Sequence, residues 1–291
     1  MAGNGNAGMS ILSTLWDPFA SFGFMRRALV ASVTLGMGAG PVGVMLQLRR
    51  MSLIGDAMSH AILPGAAIGF LLAGGLSLTA MGLGGIVAGL GVALLAGLVS
   101  RRTQLAEDAS FASFYLTSLA LGVLIVSARG SNIDLLHVLF GTILGIDAPA
   151  LYLMGGITTL TIALLSIIWR PLVMECVDPG FMRMTGGQGG LYHMAFLFLV
   201  VINLVAGFEA LGTLMSVGMM MVPAATARLW TRRLLPMMAL SALTGMVAGL
   251  IGLLVSYHFR LAAGPSIILT CSVLYVLSLV TSPTGLRAAR S

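Results

Sequence analysis

An acidic residue and a histidine stand four residues apart in a strongly apolar stretch of this sequence. Asp56 and His60 lie within residues 48–70, and Pro64 and Gly65 follow them. Because residues four apart share one face of an α-helix, both side chains can reach the same small ligand. A carboxylate and a neutral imidazole suit zinc, manganese or iron. The pair therefore indicates either a divalent-cation site or an Asp–His hydrogen bond that satisfies both groups, and the two residues alone leave both possibilities open.

The proline after the pair predicts a break in the helix. Pro64 has no backbone N–H, so a carbonyl oxygen near His60 loses its helical partner. Interrupted helices commonly line transport sites, and Ser59 is placed to support the two ligands. An ionised carboxylate at the centre of a bilayer costs about 2.5–3.5 kcal/mol on insertion scales, so an intramembrane acid usually faces a cavity or a partner.

The composition places these residues in a membrane protein. Of the 291 residues, 58% are hydrophobic and 8% are charged, whereas a soluble domain carries about 25% charged residues. The 15 basic residues are all arginines, standing singly or in pairs between apolar runs. This pattern indicates orientation in a membrane and not binding to nucleic acid. Cys176, in a polar loop, and Cys271, in an apolar run, do not support a disulfide or a cysteine zinc site.

Continuous apolar runs predict the architecture. Runs long enough to cross the hydrocarbon core as helices cover residues 28–48, 54–74, 78–100, 110–128, 148–169, 191–208, 211–230, 236–257 and 265–281. The sequence therefore predicts an all-α, polytopic transmembrane helical bundle of about eight or nine membrane helices, without β-barrel alternation. We expect an N-terminal tail and interfacial segment at 1–24, a transmembrane domain at 25–282 and a cytoplasmic tail at 283–291.

The arginines also predict which way the helices run. If the loop at Arg49 and Arg50 is cytoplasmic, eleven arginines fall on that side and four on the other, as the positive-inside rule expects. The N-terminus is then outside and the C-terminus inside. In the cytoplasmic connection at 170–190, Asp178 and Pro179 predict the start of a short helix, and Gly186 and Gly187 predict its end.

Five stretches of the sequence carry a resemblance to one protein family. Residues 49–65 read Arg-Arg-Met-Ser-Leu-Ile-Gly-Asp-Ala-Met-Ser-His-Ala-Ile-Leu-Pro-Gly, and residues 39–43, 134–141, 178–183 and 212–227 add further motifs in family order. Together they resemble the permease subunits of bacterial zinc/manganese ABC importers. The resemblance extends from about residue 20 to about residue 280, and its most specific parts are residues 49–65 and 223–227.

The resemblance implies an all-helical permease of the bacterial inner membrane. Its expected partners are a second copy of itself, cytoplasmic ATPase subunits, an extracytoplasmic metal-binding protein and membrane lipid. It implies that Asp56 and His60 are the metal ligands and contact Zn(II) or Mn(II) in transit, with no intrinsic cofactor and with ATP on the partner subunit. It further implies that a short helix at 181–185 docks on the ATPase. In one departure, residues 260–265 read Arg-Leu-Ala-Ala-Gly-Pro, where such permeases often carry an acid, so no role for an acid is carried over there.

The absence of lysine supports the same division of labour. A phosphate-binding loop needs its lysine, and this sequence contains none, so we expect ATP to be hydrolysed by another chain. No arrangement of residues for hydrolysis stands out, and we assign no catalytic residue. Two alternatives remain at this stage: a stand-alone secondary metal transporter or channel, and an intramembrane enzyme that uses Asp56 and His60.

Other polar and sulfur-containing residues admit simpler interpretations. Glu209, beside Asn203 in the sixth apolar run, either lines the outer end of the pathway or is an ordinary loop acid. The histidines at predicted helix ends, His137, His193 and His258, are expected at the interface. The consecutive methionines 219–221 point around a helix and so indicate packing, not a copper site.

Overall fold

The computed structural model describes residues 17–74, 77–103, 105, 107–128, 146–177, 182, 184 and 189–283. Throughout these residues the secondary structure is helical, and no strand occurs among them. The long helices are α1 Gly23–Leu48, α2 Ser52–Ala73, α3 Leu78–Arg102, α4 Glu107–Ala128, α5 Ala148–Val177, α6 Gly189–Leu211, α7 Thr213–Trp230, α8 Leu234–Phe259 and α9 Ala263–Thr281. Each predicted apolar run coincides with one of these helices. The predicted all-α bundle is therefore confirmed.

Eight of these helices are long and apolar enough to cross a membrane, within the part of the chain that the structure describes. Helix α7 is the exception, and it lies inside the bundle, packed against α1, α2, α6, α8 and α9. Met219 and Met220 of α7 are fully buried, in keeping with the packing role predicted for them. The bundle is thus built around a helix that is shorter and less apolar than its neighbours.

A single residue turns the chain back between α6 and α7. Gly212 has φ 86°, a left-handed conformation that glycine adopts without a steric penalty. After this turn the Ser216 hydroxyl donates a hydrogen bond of 3.1 Å to the Leu204 carbonyl. A side chain on Gly207 would run into Ser216, which shows how closely the two helices approach.

Small residues bring α1 and α8 together. Along the contact, Ser32, Gly36 and Gly40 of α1 face Gly249, Gly245 and Ser241 of α8, respectively. A Cβ atom added to Gly36 would lie 3.1 Å from the Gly245 carbonyl carbon. Helices in lipid associate through close van der Waals contact, since lipid tails remove the hydrophobic drive, and small residues permit that approach. This stripe explains much of the glycine content of the sequence.

The hairpin of α2 and α3 uses the same principle. A side chain on Gly65 would meet the Gly84 carbonyl, and one on Gly69 would meet the Ala80 carbonyl. On another flank of α2, a Cβ atom on Gly122 of α4 would lie 2.9 Å from the ring of Pro64. Helices α3 and α4 therefore grip the half of α2 that follows His60.

Helix α5 is longer than its apolar run predicted. The sequence placed the end near residue 169, but the helix continues to Val177 with Pro171 inside it. Leu172 is fully buried, so packing continues past the proline. Cys176, which we expected in a polar loop, lies in the last turn of α5. That expectation was wrong because the prediction followed hydropathy alone and not burial against neighbouring helices.

Candidate functional site

Helix α2 places Asp56 and His60 on one face, one turn apart. The Oδ1 atom of Asp56 lies 3.9 Å from the Nε2 atom of His60, and the two side chains are 65% and 32% exposed, respectively. Behind them, Ala57, Met58, Ala61 and Ile62 are buried. The pair thus lies on a face of α2 that this chain leaves partly uncovered, near the end of the helix that the arginines predict to be cytoplasmic.

The separation of the two donors bears on the alternatives left open by the sequence. A distance of 3.9 Å is longer than the roughly 2.7–3.2 Å of a hydrogen bond, so the carboxylate and imidazole do not satisfy each other in this arrangement. Two ligand atoms each about 2.1 Å from one metal ion can be up to about 4.2 Å apart. The geometry therefore permits both side chains to hold one divalent cation.

The ring of His60 is oriented by a neighbour on α4. It stacks on Tyr115, with ring centroids 6.2 Å apart and planes inclined by 28°. The Ser59 hydroxyl donates a 2.7 Å hydrogen bond to the Asp56 carbonyl, so it bonds to the backbone of α2 and not to a ligand atom. Among the described residues, no group of three or more His, Cys, Asp and Glu side chains could hold a metal ion. The described part of the chain therefore brings two such donors to this site.

The predicted break at Pro64 does not occur. Helix α2 runs unbroken from Ser52 to Ala73 with Pro64 inside it. The Ser118 hydroxyl of α4 donates a 3.3 Å hydrogen bond to the Ala61 carbonyl, one turn before the proline. Neighbouring helices and hydroxyl groups commonly compensate a proline in this way in membrane helices, which explains why the expectation of an interrupted helix was wrong.

A second polar cluster was not found from the sequence. Arg49, the C-cap of α1, donates from Nε to the Cys176 sulfur at 3.1 Å and from a terminal nitrogen to Nδ1 of His193. Its guanidinium lies 5.1 Å from the ring centroid of Phe196. His193, expected at the interface, is only 5% exposed. The expectation was wrong because a charged residue written next to a loop was assumed to face water.

The remaining polar candidates take different places. Asn203 is buried and donates to Thr161 Oγ1 at 2.7 Å and to the Leu199 carbonyl at 2.8 Å, so it links α5 and α6. Glu209 falls in the last turn of α6, and its pathway role stays a prediction. His258 is exposed at the end of α8, as expected.

Other predictions fall outside the described residues or concern only their edges. His137 and the motif at 134–141 lie outside them, as does most of the short helix predicted at 181–185, of which only Met182 and Met184 are described. Arg260, at the departure from the family pattern, has φ 53° and caps α8.

Membrane-length helices packed by small residues, with a pair of metal-type donors on an uncovered helix face, define a multi-pass membrane permease of the transport class. Comparison with known proteins gives the family. The chain belongs to the ABC 3 transport family, whose sequence model matches residues 21–282. The resemblance to permease subunits of bacterial metal ABC importers is thereby confirmed, as is a multi-pass bacterial membrane location.

Individual relatives agree with this assignment over nearly the whole chain. The manganese transport system membrane protein MntC of Halalkalibacterium halodurans is 33% identical over 94% of this chain and 93% of the relative. The chelated iron transport system membrane protein YfeD of Yersinia pestis is 29% identical over 93% of this chain and 89% of the relative. A solved structure, PsaBC from Streptococcus pneumoniae in complex with Fab, superimposes with a TM-score of 0.83 and 31% identity, covering 96% of this chain and 100% of that one.

Proposed function

We propose that this chain is the permease subunit of an importer for Mn(II), in which Asp56 and His60 bind the ion during its passage. The observation that carries the proposal is the pair of donors 3.9 Å apart on the partly uncovered face of α2. A family membership that covers residues 21–282 supports an ATP-driven importer over a stand-alone carrier or channel. The transmembrane permease domain then spans 25–282.

The choice of manganese rests on chemistry and on the relatives together. Carboxylate and imidazole accept zinc, manganese and iron, so the donors alone do not select the ion. The name of one relative refers to manganese and that of another to chelated iron, and the first is the more similar. We therefore take Mn(II) as the cargo, with Zn(II) and iron as the competing outcomes of the experiment.

An open site with few protein ligands suits transport. A structural metal site encloses the ion with four protein ligands, whereas a conducting site must bind its ion weakly enough to release it. Asp56 is 65% exposed, which leaves room for water or for a second copy of the chain to supply further ligands. ATP hydrolysis would belong to separate cytoplasmic ATPase subunits, and an extracytoplasmic metal-binding protein would deliver the ion.

The proposal is tested by replacing the two donors. In cells that depend on this permease for manganese, we expect Asp56→Asn and His60→Ala each to lower Mn(II) uptake by about tenfold or more, because losing even a supporting group typically costs 10- to 100-fold in affinity. Uptake is measured with radioactive Mn(II), and cellular manganese, zinc and iron are measured by elemental analysis.

Matched controls are available among exposed residues elsewhere. Asp108→Asn, at the start of α4, and His258→Ala, at the end of α8, change the same residue types at exposed positions and should leave uptake unchanged. Normal manganese uptake by both donor variants, at normal membrane abundance, would contradict the assignment of the ligands. A selective loss of zinc or iron, and not of manganese, would contradict the assignment of the cargo.

A further inference from the structure

A cavity of about 830 Å³ lies between the ends of several helices, away from Asp56 and His60. Its walls come from the end of α1, the end of α7, the start of α8 and the last third of α9. The volume is within the roughly 300–1,000 Å³ typical of small-molecule sites. Neither metal-type donor lines the cavity, so it requires an explanation of its own.

The cavity is strongly basic. Arg50, Arg228 and Arg232 line it, and none of the described residues in its wall is acidic. Three like charges around one space repel a cation and attract an anion. The cavity is therefore unsuited to a divalent metal ion in transit and suited to a ligand with negative charge, such as a phosphate group, which arginine binds through its fork of N–H donors.

The wall that carries the arginines is held in place by backbone contacts. Gln47 donates from Nε2 to the Met221 carbonyl at 3.0 Å, which joins α1 to α7. Arg50 has φ 59°, a conformation that residues other than glycine rarely adopt, and its N–H donates to the Gln47 carbonyl at 3.1 Å. A terminal nitrogen of Arg228 approaches the same carbonyl at 3.4 Å. Two of the three arginines are thus anchored around Gln47, on one side of the cavity.

Apolar and hydroxyl side chains complete the lining. Leu48, Leu229 and Met237 contribute apolar surface, while Thr231 and Tyr275 contribute hydroxyl groups. A free phosphate or a nucleotide phosphate would have no use for the apolar part of the wall. A phospholipid joins a phosphate to a glycerol and acyl chains, so it matches both parts of the lining.

The position along the helices fits the same ligand. Arg228 and Arg232 lie at the connection between α7 and α8, on the side that the arginine distribution predicts to be cytoplasmic. Basic pockets between membrane helices on this side bind anionic lipid headgroups, and tyrosine is common at the level of the headgroups. We propose that this cavity binds the phosphate headgroup of an anionic phospholipid from the cytoplasmic leaflet.

The test compares lipid binding by two charge-matched double variants. The purified full chain is examined in detergent by native mass spectrometry with phosphatidylglycerol or phosphatidylcholine as the probe. We expect the unmodified chain to prefer phosphatidylglycerol, and the double variant Arg228→Gln/Arg232→Gln to bind it about tenfold or more weakly, since each arginine near the headgroups contributes about one factor of five. The control is Arg102→Gln/Arg170→Gln, which removes two exposed arginines outside the cavity and should keep the preference.

Further arms keep the result interpretable. The variant Arg228→Lys/Arg232→Lys retains the charge and should retain most of the preference, which separates loss of charge from loss of folding. Equal binding of the two lipids, or an equal loss in the control, would overturn the proposal. Stabilisation by excess inorganic phosphate equal to that by phosphatidylglycerol would overturn the lipid as the source of the phosphate. Loss of a co-purifying ATPase with unchanged lipid binding would assign the arginines to a protein interface instead.

Discussion

At the scale of single residues, the two donors on α2 differ in how firmly they are held. His60 is about one-third exposed and stacks on Tyr115, so its ring has a fixed support. Asp56 is 65% exposed, and its backbone carbonyl, not its carboxylate, accepts the hydrogen bond from Ser59. Because exposed side chains change rotamer within nanoseconds, we infer that the imidazole provides a fixed donor and the carboxylate adjusts to the arriving ion.

This difference leads to a prediction about Tyr115. Replacing it with Ala removes the ring that supports His60, whereas Tyr115→Phe keeps the ring and removes only the hydroxyl. Since aromatic pairs contribute about 0.5–1.5 kcal/mol beyond burial, we expect Tyr115→Ala to weaken Mn(II) uptake by about 2- to 10-fold at low metal concentration. Uptake is measured across a range of Mn(II) concentrations, so that a change in apparent affinity is distinguished from a change in maximal rate. A Phe variant as impaired as the Ala variant would contradict the stacking role.

Arg49 shows how a signature residue can serve the fold. It contacts Cys176 on α5 and His193 and Phe196 on α6, so one side chain ties together three helix ends. One of its terminal nitrogens is buried without a hydrogen-bond partner, which makes this cluster sensitive to any shift of α5 or α6. The neighbouring Arg50 instead faces the basic cavity, so adjacent arginines of one motif have separate surroundings.

At the scale of helices, glycine contacts determine how α2 is presented. Gly65 and Gly69 touch the backbone of α3, and Pro64 touches Gly122 of α4. With its back fixed by these contacts, α2 keeps Asp56 and His60 on the side that faces away from the bundle. Position of the donors therefore depends on the close approach of helices that carry no donor themselves.

A larger side chain at one of these glycines should disturb the bundle. We expect Gly65→Leu to lower the free energy of unfolding by about 1–3 kcal/mol or more, because the added atoms would overlap the Gly84 backbone. The control is Gly91→Leu on α3, where an added Cβ atom would meet nothing within 4 Å; it should be neutral or slightly stabilising, since leucine favours a helix more than glycine does. Thermal unfolding of the purified chain in detergent provides the measurement, and equal destabilisation by both changes would contradict this account of the packing.

Much of the helix plan was predictable, and its failures have physical causes. A lipid-spanning segment must satisfy its backbone internally and be apolar throughout, so hydropathy located the helices. The end of α5, the unbroken course of α2 through Pro64 and the burial of His193 depend on contacts between distant segments. Ser118 above Ala61 and Arg49 beside Cys176 illustrate such contacts, and no local pattern encodes them. Asp56 and His60 could be singled out because four-residue spacing is itself local.

At the scale of the whole molecule, the incomplete ligand set is best explained by a second copy of the chain. Divalent metal ions usually take four or more ligands, and the described part of the chain brings two to this site. Most oligomers of identical chains are two-fold symmetric, so a dimer that meets along α2 would bring two Asp56–His60 pairs toward one axis. Leu53, on the same face of α2, is 73% exposed, which is costly in an aqueous pathway unless a partner covers it.

This arrangement predicts a specific cross-link. A Leu53→Cys variant, made in a Cys176→Ala background, should form covalent dimers with a short bifunctional maleimide in native membranes, because two-fold symmetry places equivalent residues of α2 near each other. The control Ile167→Cys on α5 is similarly exposed, at 77%, and should remain monomeric if that surface faces lipid. Dimers are detected by gel electrophoresis. Added Mn(II) should protect Leu53→Cys from the reagent, since an ion held by both copies would draw the two α2 helices together and narrow access to the seam. Cross-linking at residue 167 equal to that at residue 53, or none at residue 53, would contradict a shared site at the dimer axis.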